Sequence, residues 1–464
     1  MPLTFAPIHS ENGHESKSTP MSSPRSLLVL AALLGGFSPV FAATSAVIDP
    51  PDVSPAQPSI PDHAFNVRDF GGKGDSGVTV NTTAFQQAIA AVRQAGGGTL
   101  VVPAGTYFTG PFDLCSRINL HLEAGATILF SPRFDDYSGG QGGRKYRPLI
   151  AINDAHDVLV SGAGTIDGNG MAWWPEAYRF KAVAKAEHAA GDTSPRPTML
   201  AFSRCQRIRV EGITMTDAPV FNLVQNACSD VTVEGVTITN PGHSPNTDGI
   251  DPKACQRVLI AHCRIDTGDD CVALGGGAGV QEEKDVLVTD CTFLQGHGCS
   301  IGSGTGCGVS NVVVRRCTFD GTDTGVRLKS SRGRGGLTQN IIYEDLTMRH
   351  VGVAISISSY YDNTPIDAVA ARAAAQPMTR STPQWRAVTV RNVTATACRV
   401  RAGMIVGLPE APAEAITLDH VSIEAPLGLR LADARGVTLR AVTITAAQGP
   451  DVIAADSVQG LARE

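Results

Sequence analysis

Aromatic residues are scarce in this chain, at 5% of 464 residues with three tryptophans among them. A core built with so few rings must be filled by small aliphatic side chains, and 49 glycines suit a backbone of many tight turns. Charge is low as well, at 18% with a net of −6, so nothing attracts the whole molecule to nucleic acid or to an anionic membrane surface. No Cys-x-x-Cys pair occurs, which argues against a zinc site. No cofactor or resident metal is expected, and a monomer is the expected state.

Long apolar runs are missing except one. After Met21 and Arg25, the stretch from Ser26 to Leu34 is apolar and leads to Val40-Phe41-Ala42. Gly35, Gly36 and Pro39 interrupt it too early for a membrane span of about 20 residues. A charged start, a short apolar run and a small-residue cleavage pattern predict a secretory signal over residues 21–42. Its odd position suggests that translation starts at Met21 and leaves residues 1–20 as a polar upstream segment. An exported, extracellular or periplasmic protein is expected. Eleven cysteines are then an odd number for an oxidising compartment, and at least one lacks an intramolecular partner.

Residues 43–62 are proline-rich and read as an extended lead-in to one domain over residues 63–464. Thr83 with Gln86 forms a capping-box pattern, and Phe85, Ala88, Ile89 and Val92 share one helical face until Gly96-Gly97-Gly98 stops it. This helix is expected to plug one end of a β structure whose terminal edge would otherwise be open.

From about residue 99 one short phrase keeps returning. It starts at Ile208, Val231, Val258, Val286, Val312, Ile341, Val388, Ile416 and Val437, with spacings of 23, 27, 28, 26, 29, 47, 28 and 21 residues. Earlier copies begin at Val158 and, more faintly, Ile118. The 47 contains an insertion around residues 362–386. A repeat of this length with several strands per copy signals a solenoid. With no helical pattern between copies, the expected fold is all-β: a single-stranded, right-handed parallel β-helix with an N-terminal capping helix. Equivalent side chains then stack about 4.8 Å apart in columns. The sixth position of the phrase holds Cys263, Cys291 and Cys317 among aliphatics, while Cys205, Cys228 and Cys255 fill a second column and Cys271 and Cys299 a third. Cysteine as a small buried hydrophobe explains eight of the eleven, with one or two disulfides between rungs left open.

Four strings fall at matching points of successive repeats: Asn246-Thr247-Asp248, Gly268-Asp269-Asp270, Gly296-His297-Gly298 and Arg327-Leu328-Lys329. Aligned on their glycines, they stack Asp269 on His297 and put Asp248 in the column of Asp270. Strand alternation sends Arg327 and Lys329 to one face. Asn, Asp and Gly alone would be ordinary turn residues, as Asp230 and Asp290 are, and His243, His262 and His350 have no acidic partner at a matching position. Four strings on consecutive rungs ending in two cations are a different matter. Three carboxylates within about 5–10 Å cannot all ionise cheaply, so one should have a raised pKa. That suits acid–base work on an anionic sugar polymer.

These strings resemble glycoside hydrolase family 28, the polygalacturonases, as do the Phe65–Gly72 block, the capping helix, Gly164–Gly168 and Tyr361, over roughly residues 63–445. The resemblance implies hydrolysis of the α-1,4-galacturonosidic bonds of pectin by an inverting mechanism. It implies Asp269 as the general acid, Asp248 and Asp270 as the carboxylates that activate water, and His297 as the group that tunes the acid. Arg327 and Lys329 would hold a galacturonate carboxylate, Tyr361 would shape the sugar site, and Asn246 is a neighbour of it. The family's usual Arg-Ile-Lys is here Arg327-Leu328-Lys329, which keeps both cations.

Other readings compete. A calcium-dependent pectate lyase would share the fold and the polymer, but two cations and a histidine beside the acids would repel a divalent ion. Rhamnogalacturonan hydrolases look similar but lack the histidine of the Gly296-His297-Gly298 string. A non-catalytic carbohydrate-binding β-helix would leave the stacked acids unexplained. The Asn246-to-Pro252 string resembles that of bacterial endo-acting members of the family, which implies internal attack. Loops at Trp173–Pro197 and between Tyr361 and Trp385 would instead favour chain-end, exo attack if they wall the groove.

Overall fold

Successive copies of the repeated phrase lie directly on top of one another. Ile118 faces Val158, Val158 faces Ile208, and the register continues through Val231, Val258, Val286, Val312, Ile341, Val388 and Ile416 to Val437. The computed structural model describes residues 53–140, 145–186, 195–361 and 374–464. These residues belong to one unit, Val47–Glu464, and their named strands pair in parallel as a right-handed β-helix. The proposed signal and upstream segments lie outside the described residues.

The phrase is bracketed by two left-handed positions on nearly every rung. Its fifth residue has positive φ at Gly212, Gly235, His262, Asp290, Arg316, Asp345, Asn392, His420 and Ala441. The residue before it does so at Asp157, Arg207, Asp230, Arg257, Asp285, Asn311 and Asn340. These corners turn the chain from one sheet of the helix into the next, which is why the sequence punctuates its strands with Gly, Asn and Asp. Between the corners, alternation drives Ile208, Val210, Val231 and Val233 and their successors inward, all fully buried.

The capping helix α1, Thr82–Gln94, buries Ala84, Phe85, Ala88, Ile89 and Val92. Phe85 stacks on Phe112 with ring centroids 4.8 Å apart, and so seals the first rung. The capping box does not form. Asn81, not Thr83, precedes the helix, and the Asn81 side chain instead donates to Lys73 O and Thr79 O and accepts from Lys73 N–H. Thr83 is already inside the first turn. The reading that no helix lies between copies also fails: α2, Trp174–Ala186, stands between two rungs. Its alanines and its charged straight-chain residues favour helix locally without forming an apolar stripe, so periodicity missed it.

All eleven cysteines are free, and ten of them, including the eight that the repeat places in columns, are buried. The Cys205 amide sits 3.4 Å from Cys228 Sγ, and the Cys263 amide 3.4 Å from Cys291 Sγ, so the sulfurs serve as soft packing groups between rungs. His350 does have an acid, Asp320 at 3.1 Å, but both are exposed and the pair contributes little. Residues 53–59 run along the outside of the helix: Val53 packs on Leu287, Val313 and Ile342, and the Ser59 amide reaches Asp157 Oδ1 at 3.0 Å.

Candidate active site

One sheet of the helix supplies the site through the strands Ile250–Lys253, Val272–Gly276, Cys299–Thr305 and Thr324–Lys329. Their inward residues Ile250, Val272, Ile301 and Leu328 are buried in the core, so the alternate residues face outward. Ile250 pairs with Val272, which places Asp248 level with Asp270 as the alignment requires. The next step differs by one residue: Val272, not Cys271, faces Cys299. Gly296 and Gly298 both have positive φ, and the tight loop they make holds one residue fewer before its strand than an alignment on glycines assumes. Cys271 and Cys299 therefore do not share a column.

The acid–histidine contact survives that shift. His297 Nδ1 lies 3.0 Å from Asp269 Oδ1, and the His297 amide donates to the Asp269 carbonyl at 2.9 Å. On its other side His297 Nε2 is 3.4 Å from Asp323 Oδ2. Asn246, itself at φ +55°, points Nδ2 at Asp269 Oδ2, 3.3 Å away. Thr247 is a fastener: its hydroxyl accepts the Gly268 amide at 3.1 Å and so ties the Asp248 rung to the Asp269 rung.

Asp270 is the electrostatic centre. Arg327 Nη1 donates to Oδ1 at 2.7 Å, Lys329 Nζ to Oδ2 at 2.6 Å, and Ser300 Oγ to Oδ1 at 2.7 Å. Burial alone would raise its pKa, but Lys329, Arg327 and His297 outweigh that and hold the carboxyl well below the usual range. Asp269 follows the same logic more mildly: burial is the largest influence and raises it, as does Asp270, but His297 and Lys329 together bring the balance below the ordinary value. Asp248 has weaker help, from Lys253. Burial first, then the charges of Asp269, Asp251 and Asp270, push its carboxyl far up. The raised carboxyl that the sequence called for is thus Asp248.

The groups open onto a cavity of about 300 Å³ whose lining includes Asn246, Asp248, Asp269, Asp270, Lys329 and Tyr361. Arg327 and His297 reach it through the acids they hold. Tyr361, rather than the buried Tyr360, faces the cavity, with Lys329 Nζ 5.0 Å from its ring centre. All eight expected residues are brought together. Sequence reasoning missed Asp251, which also lines the cavity, is fully buried, and is pushed up to about 6 by burial against the pull of Lys253 at 3.0 Å. The outward alternation after Ile250 was the available signal. It also missed Arg196, which is buried behind the acids and donates to Pro219 O, Pro245 O and Asn246 Oδ1 at 2.9, 2.6 and 2.8 Å.

Asp269, Asp270 and His297 present donor atoms within 4.8 Å of one another, close enough to ligate an ion. The donor set does not suit one, because both oxygens of Asp270 already receive cations. A divalent ion there would face an ammonium and a guanidinium.

At one end of the site, α2 is seated by Trp174 Nε1 donating to Ala218 O at 3.1 Å and by a bond from the Tyr178 hydroxyl to His243 O. Of the second insertion, residues 362–373 lie outside the described residues.

Comparison with known proteins gives a consistent result. The profile of glycosyl hydrolases family 28 matches residues 94–448, and that of rhamnogalacturonase A/epimerase, pectate lyase-like proteins matches only 64–121, a stretch without any site residue. The chain is 31% identical over 322 residues to a probable polygalacturonase of Vitis vinifera, covering 64% of this chain and 63% of that protein. It thus spans a little under two thirds of that relative's length. It is 29% identical to a polygalacturonase of Arabidopsis thaliana over 78% of each chain. Among solved structures, a hyperthermoactive exopolygalacturonase from Thermotoga maritima aligns at 29% identity with a TM-score of 0.69, over 83% of this chain and 94% of that one.

Proposed function

This chain belongs to glycosyl hydrolase family 28, and from that premise we propose that it hydrolyses the α-1,4-galacturonosidic bonds of pectin and polygalacturonate with inversion at the anomeric carbon. The observation that carries the reading is geometric: Asp248, Asp269 and Asp270 line one polar cavity, with Arg327 and Lys329 on Asp270 and His297 beside Asp269. Asp269 gives a proton to the glycosidic oxygen as the bond to the anomeric carbon breaks. His297, with Nδ1 3.0 Å from Asp269 Oδ1, tunes and orients the acid. Water bonds to the same carbon from the opposite face. Its proton passes to the Asp248 and Asp270 pair, in which Asp248, with its raised pKa, is the stronger base once ionised.

The chain-internal mode of attack is the reading favoured by the resemblance of the Asn246-to-Pro252 string to bacterial endo-acting members of the family. Chain-end attack is a second reading, favoured by α2, which stands at the end of the groove where it could block a long chain. Secretion through residues 21–42 and action as a monomer on pectic polysaccharide complete the proposal. Among the described residues no helix is long and apolar enough to cross a membrane.

Reducing ends and viscosity followed together on de-esterified polygalacturonate, with a chelator present, test this. Rapid viscosity loss with few new ends supports internal attack, and steady release of monomer or dimer supports chain-end attack. Absence of new ends, or ultraviolet-absorbing unsaturated products that need calcium, overturns the hydrolase.

A further inference from the structure

The sequence places four cations between Arg327 and Arg334, and three of them are already matched. Arg327 and Lys329 end on Asp270. Arg332 turns to the other side and grips Glu410, Nε to Oε1 at 2.7 Å and Nη2 to Oε2 at 2.9 Å. Arg334 differs. Among the described residues no carboxylate meets its guanidinium, which forms part of the cavity wall and lies 5.8 Å from the Tyr361 ring centre.

An exposed arginine is ordinarily a solvated side chain on a loose turn, but this turn is pinned. The Arg334 amide donates to Ser331 O at 3.0 Å, and its carbonyl accepts from the Thr305 amide at 3.0 Å. The amides of Gly333 and Gly335 both reach Ser381 O, at 2.9 and 3.1 Å. Gly335 lies so close to the next segment that a Cβ there would fall 2.3 Å from Pro383 N. A fixed backbone and an aromatic face limit where the guanidinium can go, which lowers the entropy lost when it binds.

Charge balance gives that position a purpose. Asp248, Asp251, Asp269 and Asp270 line the cavity, and Lys329 and Lys253 already contact two of them. An incoming uronate would meet matched cations and unmatched acids. We propose that Arg334 binds a carboxylate of the polyuronide chain at the Tyr361 side of the cavity, and that it sets the preference for unesterified over methyl-esterified residues. A free carboxylate offers the guanidinium two charged acceptors, whereas a methyl ester offers a neutral carbonyl. This rests on the hydrolase reading above.

The test compares the full chain with Arg334→Gln and Arg334→Lys on de-esterified polygalacturonate and on highly methyl-esterified pectin, with thermal melts to confirm folding. Arg334→Gln is expected to raise KM for polygalacturonate about tenfold, to affect the esterified polymer much less, and to flatten the dependence of KM on ionic strength. Arg334→Lys is expected to recover part of the loss. If the parent chain hydrolyses polygalacturonate and the Gln variant keeps its KM within about twofold, the proposal is overturned while the hydrolase stands. If the parent releases no reducing ends, the hydrolase reading fails. Calorimetric titration of trigalacturonate then decides for Arg334 by itself, since equal affinity of parent and Gln variant rejects its role.

Discussion

Lys329 Nζ stands 2.6 Å from Asp270 Oδ2, with side chains only 8% and 4% exposed. Lysine in the Arg327-Leu328-Lys329 string is therefore first the counter-ion of the buried Asp270 carboxylate. Removing one partner of a buried pair leaves the other uncompensated, at about 3–5 kcal/mol, softened here because Arg327 still reaches Asp270. Lys329→Met is expected to lower the melting temperature and to reduce kcat by about 10²–10³-fold. Adding Asp270→Asn should restore much of the stability and none of the rate. Thermal melts on the single and double variants check this, and additive losses of stability would contradict the pairing.

Asp269→Asn separates chemistry from folding. The substitution keeps the side chain's size beside Asn246 and His297 while removing the transferable proton. Loss of a general acid costs about 10²–10⁴-fold in rate. Hydrolysis should fall by that amount while polygalacturonate still binds, which titration with the polymer can measure. Retention of more than a tenth of the rate would move the acid elsewhere.

The pH profile should report Asp248. Its carboxyl is driven up by burial and by three neighbouring acids, so it stays protonated where an ordinary aspartate, at about 3.9, is already ionised. As a base it works only after losing that proton. The acidic limb of kcat/KM is therefore expected well above pH 4, and Asp248→Asn should abolish it along with most of the activity. Activity that persists well below pH 4 would make Asp270, held ionised by its cations, the working base.

Much of this was legible in the sequence because a β-helix writes its geometry at fixed intervals. The phrase from Val158 to Val437 fixes strand register without help, since a slip by one residue would turn Ile208 and Val210 out to water. The columns of acids and cations follow from it. What escaped has local causes. The one-residue slip between Val272 and Cys299 lies in a loop shaped by Gly296 and Gly298, where strand alternation carries no information. Asn81 took the place of Thr83 because its side chain is committed to Lys73 and Thr79, partners invisible to a capping pattern. Which carboxyl would be raised depends on where Arg327 and Lys329 ended. Both chose Asp270, and that left Asp248 to burial and to its acidic neighbours, which outweigh the pull of Lys253.

A second buried acid makes a prediction independent of catalysis. Glu283 is fully buried; its Oε2 accepts the Cys255 amide and its Oε1 has no hydrogen bond. Burial pushes its carboxyl up to about 8, from 4.5 in the unfolded chain, with the Cys255 contact working against the rise. The folded state thus keeps a proton that the unfolded chain would release. The stability this confers is complete below about pH 4.5 and is lost as pH climbs to about 8. Glu283→Gln cannot ionise, but it buries an amide donor at a cost of about 1–3 kcal/mol. The variant is therefore expected to melt at or below the parent at pH 5 and above it at pH 9. The difference between the two melting temperatures isolates Glu283 from other titrating groups. A difference that does not change with pH would mean that Glu283 finds a counter-charge or water in solution and stays ionised.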